Sequence, residues 1–109
     1  MRTQGVLPTL LPASHLPGPY VWEAFDLTAH AVLTNRTPVG TYRGPGMTEA
    51  TFVRERMLDL VAGELGLDPV ELRRRNLVPA ERMPFTYDLG PVVAPLVYGS
   101  GDFPASFER

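Results

Sequence analysis

Prolines at positions 8, 12, 17 and 19 constrain the first part of this 109-residue chain more than any other feature. A proline ring fixes the backbone φ angle and removes one amide hydrogen, so prolines at this density oppose both a helix and a central strand. We therefore predict an extended, proline-rich segment over residues 1–24. Because the segment also carries leucine and valine side chains, it is too apolar for a solvated linker and is expected to lie along another surface.

Residues 25–34 alternate between two sides, with Phe25, Leu27 and Ala29 beginning the apolar side. A two-residue period is typical of a β-strand with one buried face. A weaker strand candidate extends from Val92 to Tyr98 and is interrupted by a proline. Because one or two strands leave the backbone hydrogen-bonding groups along their edges without partners, we expect an incomplete sheet.

A loop and two helices are predicted in the middle of the chain. Residues 35–47 contain three glycines and two prolines, which is the composition of a loop with special backbone angles. Residues 48–76 are predicted to form two helices, the first ending at Gly66 and the second opened by Asp68. Three- and four-residue spacing marks an apolar face on the first helix, formed by Phe52, Val53, Met57, Leu60, Val61 and Leu65.

Residues 77–109 are predicted to be a loop followed by the start of a truncated helix near Asp102. Together these elements describe an α/β (α+β) fold with one or two strands, two to three helices and long Pro/Gly-rich loops. An incomplete sheet and a cut final helix favour part of a larger domain over a complete one.

Composition excludes several classes of function. With 10 basic and 12 acidic residues, the chain lacks the excess of positive charge that is typical of nucleic-acid-binding proteins. The absence of cysteine excludes disulfides, thiolate metal sites and iron–sulfur ligation by this chain, and its two histidines do not form a metal-ligand motif. We find neither a membrane span nor a signal-peptide core, and we expect a cytoplasmic protein.

Two sequence features offer candidate chemistry. The turn Gly44-Pro45-Gly46 lies before a predicted helix and could present backbone amides to an anion, although on the pattern alone a simple tight turn is favoured. Arg43 could bind an oxyanion or serve as a surface ion-pair partner. The triplet of residues 73–75 (Arg-Arg-Arg) is interpreted as a solvated face or an ion-pair donor to a neighbouring subunit.

Several stretches, in this order, resemble the molybdenum-binding large subunit of the xanthine dehydrogenase, aldehyde oxidase and aerobic carbon monoxide dehydrogenase family. They cover much of the chain from about residue 16 onward. The stretches are 16–20 (Leu-Pro-Gly-Pro-Tyr), 32–35 (Val-Leu-Thr-Asn), 37–46 (Thr-Pro-Val-Gly-Thr-Tyr-Arg-Gly-Pro-Gly), 49–52, 55–56, 66–77, Tyr98 and 100–104.

The resemblance implies a subunit that holds molybdenum on molybdopterin, as a dinucleotide, and hydroxylates a carbon of a small molecule with oxygen from water. Aldehydes and N-heterocycles are the expected substrates. Iron–sulfur clusters and FAD would be carried by a small and a medium partner subunit or by separate domains. In such proteins Tyr42, Arg43, Gly44 and Gly46 would approach the cofactor, while Pro45 would face the substrate pocket.

Two departures from the family limit this inference. Gly44 stands where aerobic carbon monoxide dehydrogenase has cysteine, which argues against a copper-bearing site. The family's Gly-Glu motif, which provides the general base, has no counterpart here. We therefore assign no catalytic residue and expect the chain alone to be inactive. The alternative is a non-catalytic truncated remnant that packs or docks on a sister subunit.

Overall fold

The computed structural model describes residues 7–32, 34–37, 40–90 and 94–109. Within them the chain forms four helices and one two-stranded sheet, so the α/β class with an incomplete sheet is confirmed. The elements, in chain order, are α1 (Leu7–His15), α2 (Met47–Leu65), α3 (Pro69–Asn76), a 3-10 turn (Ala80–Arg82), β1 (Phe85–Tyr87), β2 (Leu96–Tyr98) and α4 (Phe103–Phe107).

Helix α1 occupies part of the segment predicted to be extended, and that prediction is wrong over residues 7–15. Pro8 lies in the first turn, where a helix needs no amide hydrogen. Pro12 lies inside the helix, where a proline costs about 3 kcal/mol. Tertiary contacts offset this cost, since α1 packs against α2 and the Arg54 guanidinium donates to the His15 carbonyl over 3.1 Å.

Helix α2 has the predicted extent but a different buried face. It ends at Gly66, whose φ of 64° and bonds to the Ala62 and Gly63 carbonyls form the expected left-handed cap. The face that packs inward consists of Ala50, Arg54, Leu58 and Ala62. The six residues of the apolar face that marked the helix in the sequence are all exposed, so periodicity found the helix but did not reveal which face is buried.

Helix α3 closes the small core. The Asp68 carboxylate accepts hydrogen bonds from the amides of Val70 and Glu71, which confirms the predicted start of the helix. After α3 the backbone pairs antiparallel with residues 19–21, through an isolated bridge between Tyr20 and Leu77. The core cluster at this junction is Tyr20, Leu58, Ala62, Leu72 and Leu77.

The C-terminal part adds a hairpin and a short helix. Strands β1 and β2 are antiparallel, with Thr86 opposite Val97. Strand β2 falls within the weaker predicted strand, of which residues 92 and 93 lie outside the described residues. Strand β1 lies where a loop was predicted, because its three residues form a strand only through their pairing with β2. Helix α4 begins at Phe103 after an Asp102 cap, as predicted.

The strand predicted over residues 25–34 does not form at the described positions 25–32 and 34. A strand needs a neighbour for its backbone groups, and no described strand lies beside this segment. Its residues are exposed instead, including the apolar Phe25, Leu27 and Val32. No helix in the described part of the chain is long and apolar enough to cross a membrane.

Candidate functional site

The loop predicted to face a cofactor leads directly into α2. Tyr42 is 89% exposed, Arg43 is also exposed, and Gly44 and Pro45 are half-buried. Gly44 has a φ of 68°, and the space where a Cβ atom would stand is open. The Met47 amide donates to the Gly44 carbonyl over 3.2 Å, which closes the turn just before the helix. The structure thus brings the predicted site residues together in one turn.

Gly46 ends this turn and fixes its distance from α1. Its φ is 83°, and a Cβ atom there would lie 2.5 Å from both the Leu11 carbonyl carbon and the Pro12 nitrogen. Real Cβ atoms essentially never approach backbone this closely, so only glycine fits. The turn and α1 are therefore in backbone contact, and α1 determines where the turn lies.

The turn has groups suited to an anionic cofactor. The 19-residue helix α2 starts beside it, and backbone amides at a helix N-terminus favour negative charge. Within the described ranges Arg43 forms no ion pair, and its guanidinium can donate several hydrogen bonds to a phosphate or oxo group. Glu49, in the first turn of α2, already complements part of the helix dipole. The open side of Gly44 and the exposed guanidinium of Arg43 leave room for an anionic group beside the turn.

A polar network centred on Glu55 joins three parts of the fold. The Glu55 carboxylate accepts from Arg54 Nε at 2.9 Å and from Arg73 Nε at 2.8 Å. The Tyr20 hydroxyl donates to the same carboxylate at 3.1 Å. Arg73 also donates to Asp59 on the next turn of α2. These bonds hold α2, α3 and the segment after α1 together.

Burial and charge shift the pKa values of this network. Burial raises the pKa of Tyr20 to about 12, and the neighbouring Glu55 charge adds to the rise. Burial pushes the pKa of Glu55 upward, but hydrogen bonds from Arg73, Arg54 and Tyr20 outweigh it and hold that pKa below its usual value. The carboxylate is therefore ionised at neutral pH, between two guanidinium groups.

Arg54 is the one charged residue buried among the described residues, with 7% of its surface exposed. Its guanidinium also occupies the space beside Gly18, where a Cβ atom would lie 2.5 Å away. Sequence reasoning did not single out Arg54 and missed this network. The available signal was the four-residue repeat of Ala50, Arg54, Leu58 and Ala62, in which small residues allow close packing.

The arginine triplet divides into two roles. Arg73 is largely buried and binds within the chain, so the prediction of a solvated face is wrong for this residue. Arg74 pairs with Glu71 and with Glu108 after α4. Arg75 is exposed and pairs with Glu71. All three arginines thus form ion pairs within the chain. Their partners lie on α2, within α3 itself and just after α4.

Comparison with known proteins identifies this arrangement. Residues 3–77 match the model of the molybdopterin cofactor-binding domain family. The chain is 52% identical over 92 residues to the 6-hydroxypseudooxynicotine dehydrogenase complex subunit gamma of Paenarthrobacter nicotinovorans, covering 84% of this chain and 12% of that protein. It is 39% identical over 94 residues to a probable xanthine dehydrogenase subunit of Bacillus subtilis, covering 81% and 12%.

A further relative is the nicotine 6-hydroxylase large subunit of Paenarthrobacter nicotinovorans, with 35% identity over 86 residues, covering 79% of this chain and 10% of that protein. The chain thus spans about one-eighth of the length of the first two of these relatives and a tenth of the third. The matched range includes the turn, α1, α2 and α3. The chain belongs to the molybdopterin cofactor-binding domain family.

Proposed function

We propose that this chain supplies the cofactor-facing turn of residues 40–46 to the large subunit of a molybdenum hydroxylase. The observation that carries the proposal is the family match over residues 3–77, which includes this turn and the helices that hold it. The structure supports it with an exposed Arg43, an open face at Gly44 and a turn held against α1 through Gly46.

The residues of the turn would bind and orient rather than react. When bound, the molybdenum cofactor supplies the two-electron oxidation that adds oxygen from water to a substrate carbon. Arg43 would donate hydrogen bonds to an anionic part of the cofactor, and the Gly44 backbone would allow it to approach closely. Tyr42 would contact the cofactor, and Pro45 would line the substrate side of the turn. The one Gly-Glu pair of the sequence, Gly63-Glu64, lies in the last turn of α2, at the opposite end of the helix from the turn, so we assign no proton transfer to this chain.

An N-heterocycle is the substrate class that we favour. Two relatives are named for nicotine compounds and one for xanthine, all of them nitrogen-containing ring compounds. Gly44 leaves no thiol at the turn for a copper-bearing site.

We also propose FAD-binding and iron–sulfur partner subunits, because relatives are named as subunits of complexes. A cytoplasmic location stays a prediction.

A chimera tests the proposal. The matching 92-residue segment of the Paenarthrobacter nicotinovorans subunit gamma is replaced by this chain's segment, and the purified complex is analysed for molybdenum and pterin content. We expect cofactor to be retained. Arg43→Gln should weaken cofactor binding roughly ten- to a hundredfold and so lower the molybdenum content, because a charged hydrogen bond contributes on the order of 1.5–3 kcal/mol.

The matched control is Arg56→Gln, which removes the same charge from an exposed arginine on α2. It should leave the cofactor content unchanged. A folded chimera that contains only background molybdenum would contradict the proposed function, as would equal losses in the two variants.

A second candidate is a non-catalytic remnant that packs or docks on a sister subunit. The observation in its favour is the apolar surface that α2 exposes. This candidate predicts binding to a sister subunit without any cofactor requirement. A free chain that is monomeric and unfolds in one two-state transition would weaken it.

A further inference from the structure

The carbonyl groups at the end of helix α1 converge on the buried side chain of Arg54. Its Nη1 donates to the His15 carbonyl over 3.1 Å and to the Leu16 carbonyl over 3.5 Å. The last carbonyl groups of a helix have no acceptor role within the helix, so these bonds satisfy groups that would otherwise need water. Because Arg54 Nε also donates to Glu55, the end of α1 is tied to a charged pair on α2.

The backbone that follows α1 leaves space for this guanidinium. Gly18 is buried and has a φ of 63°, and a Cβ atom there would lie 2.5 Å from Arg54 Cζ. A side chain at position 18 would therefore displace the guanidinium. The segment thus accommodates Arg54 in two ways, with carbonyl groups that accept its hydrogen bonds and with a glycine that makes room for it.

Helix α1 depends on such contacts from outside the helix. It has nine residues, and Pro12 within it has no amide hydrogen to donate to the preceding turn. An isolated helix shorter than about 12 residues is marginal in water even without a proline. The bonds from Arg54 and the packing against α2 therefore determine where α1 lies.

The position of α1 in turn sets the position of the cofactor-facing turn. The Leu11 and Pro12 backbones lie where a Cβ atom at Gly46 would stand, so a shift of α1 moves the surface on which the turn rests. Arg54 itself follows Gly46 by eight residues, about 12 Å along the helix. Its hydrogen bonds go to α2 and to the end of α1 rather than to the turn, so it acts on the turn through α1.

We propose that Arg54 is a positioning residue for the cofactor. It holds α1 in place, and α1 holds the turn so that Arg43 and Gly44 meet the anionic group together. This inference rests on the proposed function and deepens it. Arg54 touches neither cofactor nor substrate, so its effect on cofactor binding passes through the contact between α1 and Gly46.

Two identical substitutions separate positioning from stability. Arg54→Lys keeps the positive charge beside Glu55, but a lysine side chain ends one atom short of the arginine Nη atoms and loses the bonds to α1. Arg73→Lys is the matched control, because Arg73 shares Glu55 and its side chain is 13% exposed, against 9% for Arg54. The hydrogen bonds of Arg73 in the described part of the chain go to α2 and α3.

Hydrogen exchange on the chain itself, without cofactor, tests the mechanical link. We expect the α1 amides and the Met47 amide, which closes the turn, to exchange roughly tenfold faster in Arg54→Lys, since a bond from a charged donor commonly contributes such a factor. The buried Ala62 amide is the internal reference. Arg73→Lys should leave the ratio of turn to core exchange unchanged. Equal ratios in the two variants, or a faster α1 with an unchanged turn, would overturn the proposal.

The molybdenum and pterin content of the chimeric complex tests the consequence for the cofactor. We expect the content to fall severalfold in Arg54→Lys and to stay at the parental level in Arg73→Lys. Equal losses in these two variants would show a loss of stability alone and would overturn the proposal.

Arg43→Gln distinguishes failure of this inference from failure of the proposed function. If Arg43→Gln lowers the molybdenum content and Arg54→Lys does not, the positioning role is overturned and the proposed function stands. If neither variant lowers the content although Arg54→Lys loosens the turn in hydrogen exchange, the turn does not hold the cofactor. That result refutes the proposed function and the positioning of the cofactor, and leaves only the coupling of Arg54 to the turn.

Discussion

Arg73 Nε lies 2.8 Å from Glu55 Oε2, and this ion pair joins α3 to α2 at the edge of the core. Arg73 also donates to the Glu55 backbone carbonyl over 3.0 Å, so the contact is not a charge pair alone. Arg54 approaches the other carboxylate oxygen. One glutamate thus bridges two guanidinium groups that the fold brings together, and Asp59 supplies a second negative charge beside Arg73.

Glu55→Gln should destabilise the chain by about 1–2 kcal/mol. The substitution keeps the shape but removes the charge between Arg54 and Arg73, and hydrogen bonds to charged groups are worth roughly 1.5–3 kcal/mol before solvent screening is considered. Urea denaturation measures the free energy of unfolding. Glu64→Gln on the same helix is the control, since Glu64 forms no ion pair among the described residues. Equal effects would contradict the role of Glu55.

Acid should remove the contribution that the charge of Glu55 makes to the free energy of unfolding. The folded pKa of Glu55 is held below the usual 4.5, so the unfolded chain binds this proton more readily. The contribution is therefore fully present above pH 4.5 and is lost as the pH falls through the folded pKa. We expect the stability difference between the chain and Glu55→Gln to shrink below pH 4.5. A difference that stays constant in acid would show that the charge is not involved.

Alkali, rather than acid, should remove the contribution that the neutral Tyr20 hydroxyl makes to stability. Its folded pKa is raised from 10.0 to about 12, so its contribution is present below pH 10.0 and is lost as the pH rises through the folded pKa. Burial also raises the pKa values of Tyr87 and Tyr98, so tyrosinate absorbance recorded against pH should show several late-titrating groups, and only the latest of them should be missing in Tyr20→Phe. An unchanged last step of the titration in Tyr20→Phe would contradict the assignment.

Gly46→Ala should destabilise the turn more than Gly44→Ala. Both glycines have a positive φ, which costs a side chain about 1–2 kcal/mol. At Gly46 a Cβ atom would also meet the backbone of α1, whereas at Gly44 it would meet open space. The Gly44 variant therefore measures the conformational cost alone. Thermal denaturation of both variants provides the comparison, and equal losses would show that the contact with α1 is unimportant.

Local signals predicted much of the helical structure. The end of α2 at Gly66 and the start of α3 at Asp68 depend on residues within one turn of those positions, so sequence reasoning located both. The start of α4 at Asp102 follows the same rule. Composition also predicted the loop of residues 35–47 that contains the turn, although the role of the turn toward a cofactor stays a proposal.

Contacts between distant residues decided the rest. Helix α1 forms despite Pro12 because it packs on Gly46 and is capped by Arg54, and neither contact is visible in a local pattern. Strand β1 exists because β2 pairs with it, while the more regular pattern over residues 25–34 has no described partner and forms no strand at its described positions. The sequence by itself determined where helices can begin and end, since caps act over one turn. Only the tertiary structure decided which face of α2 is buried, because burial depends on what packs against it.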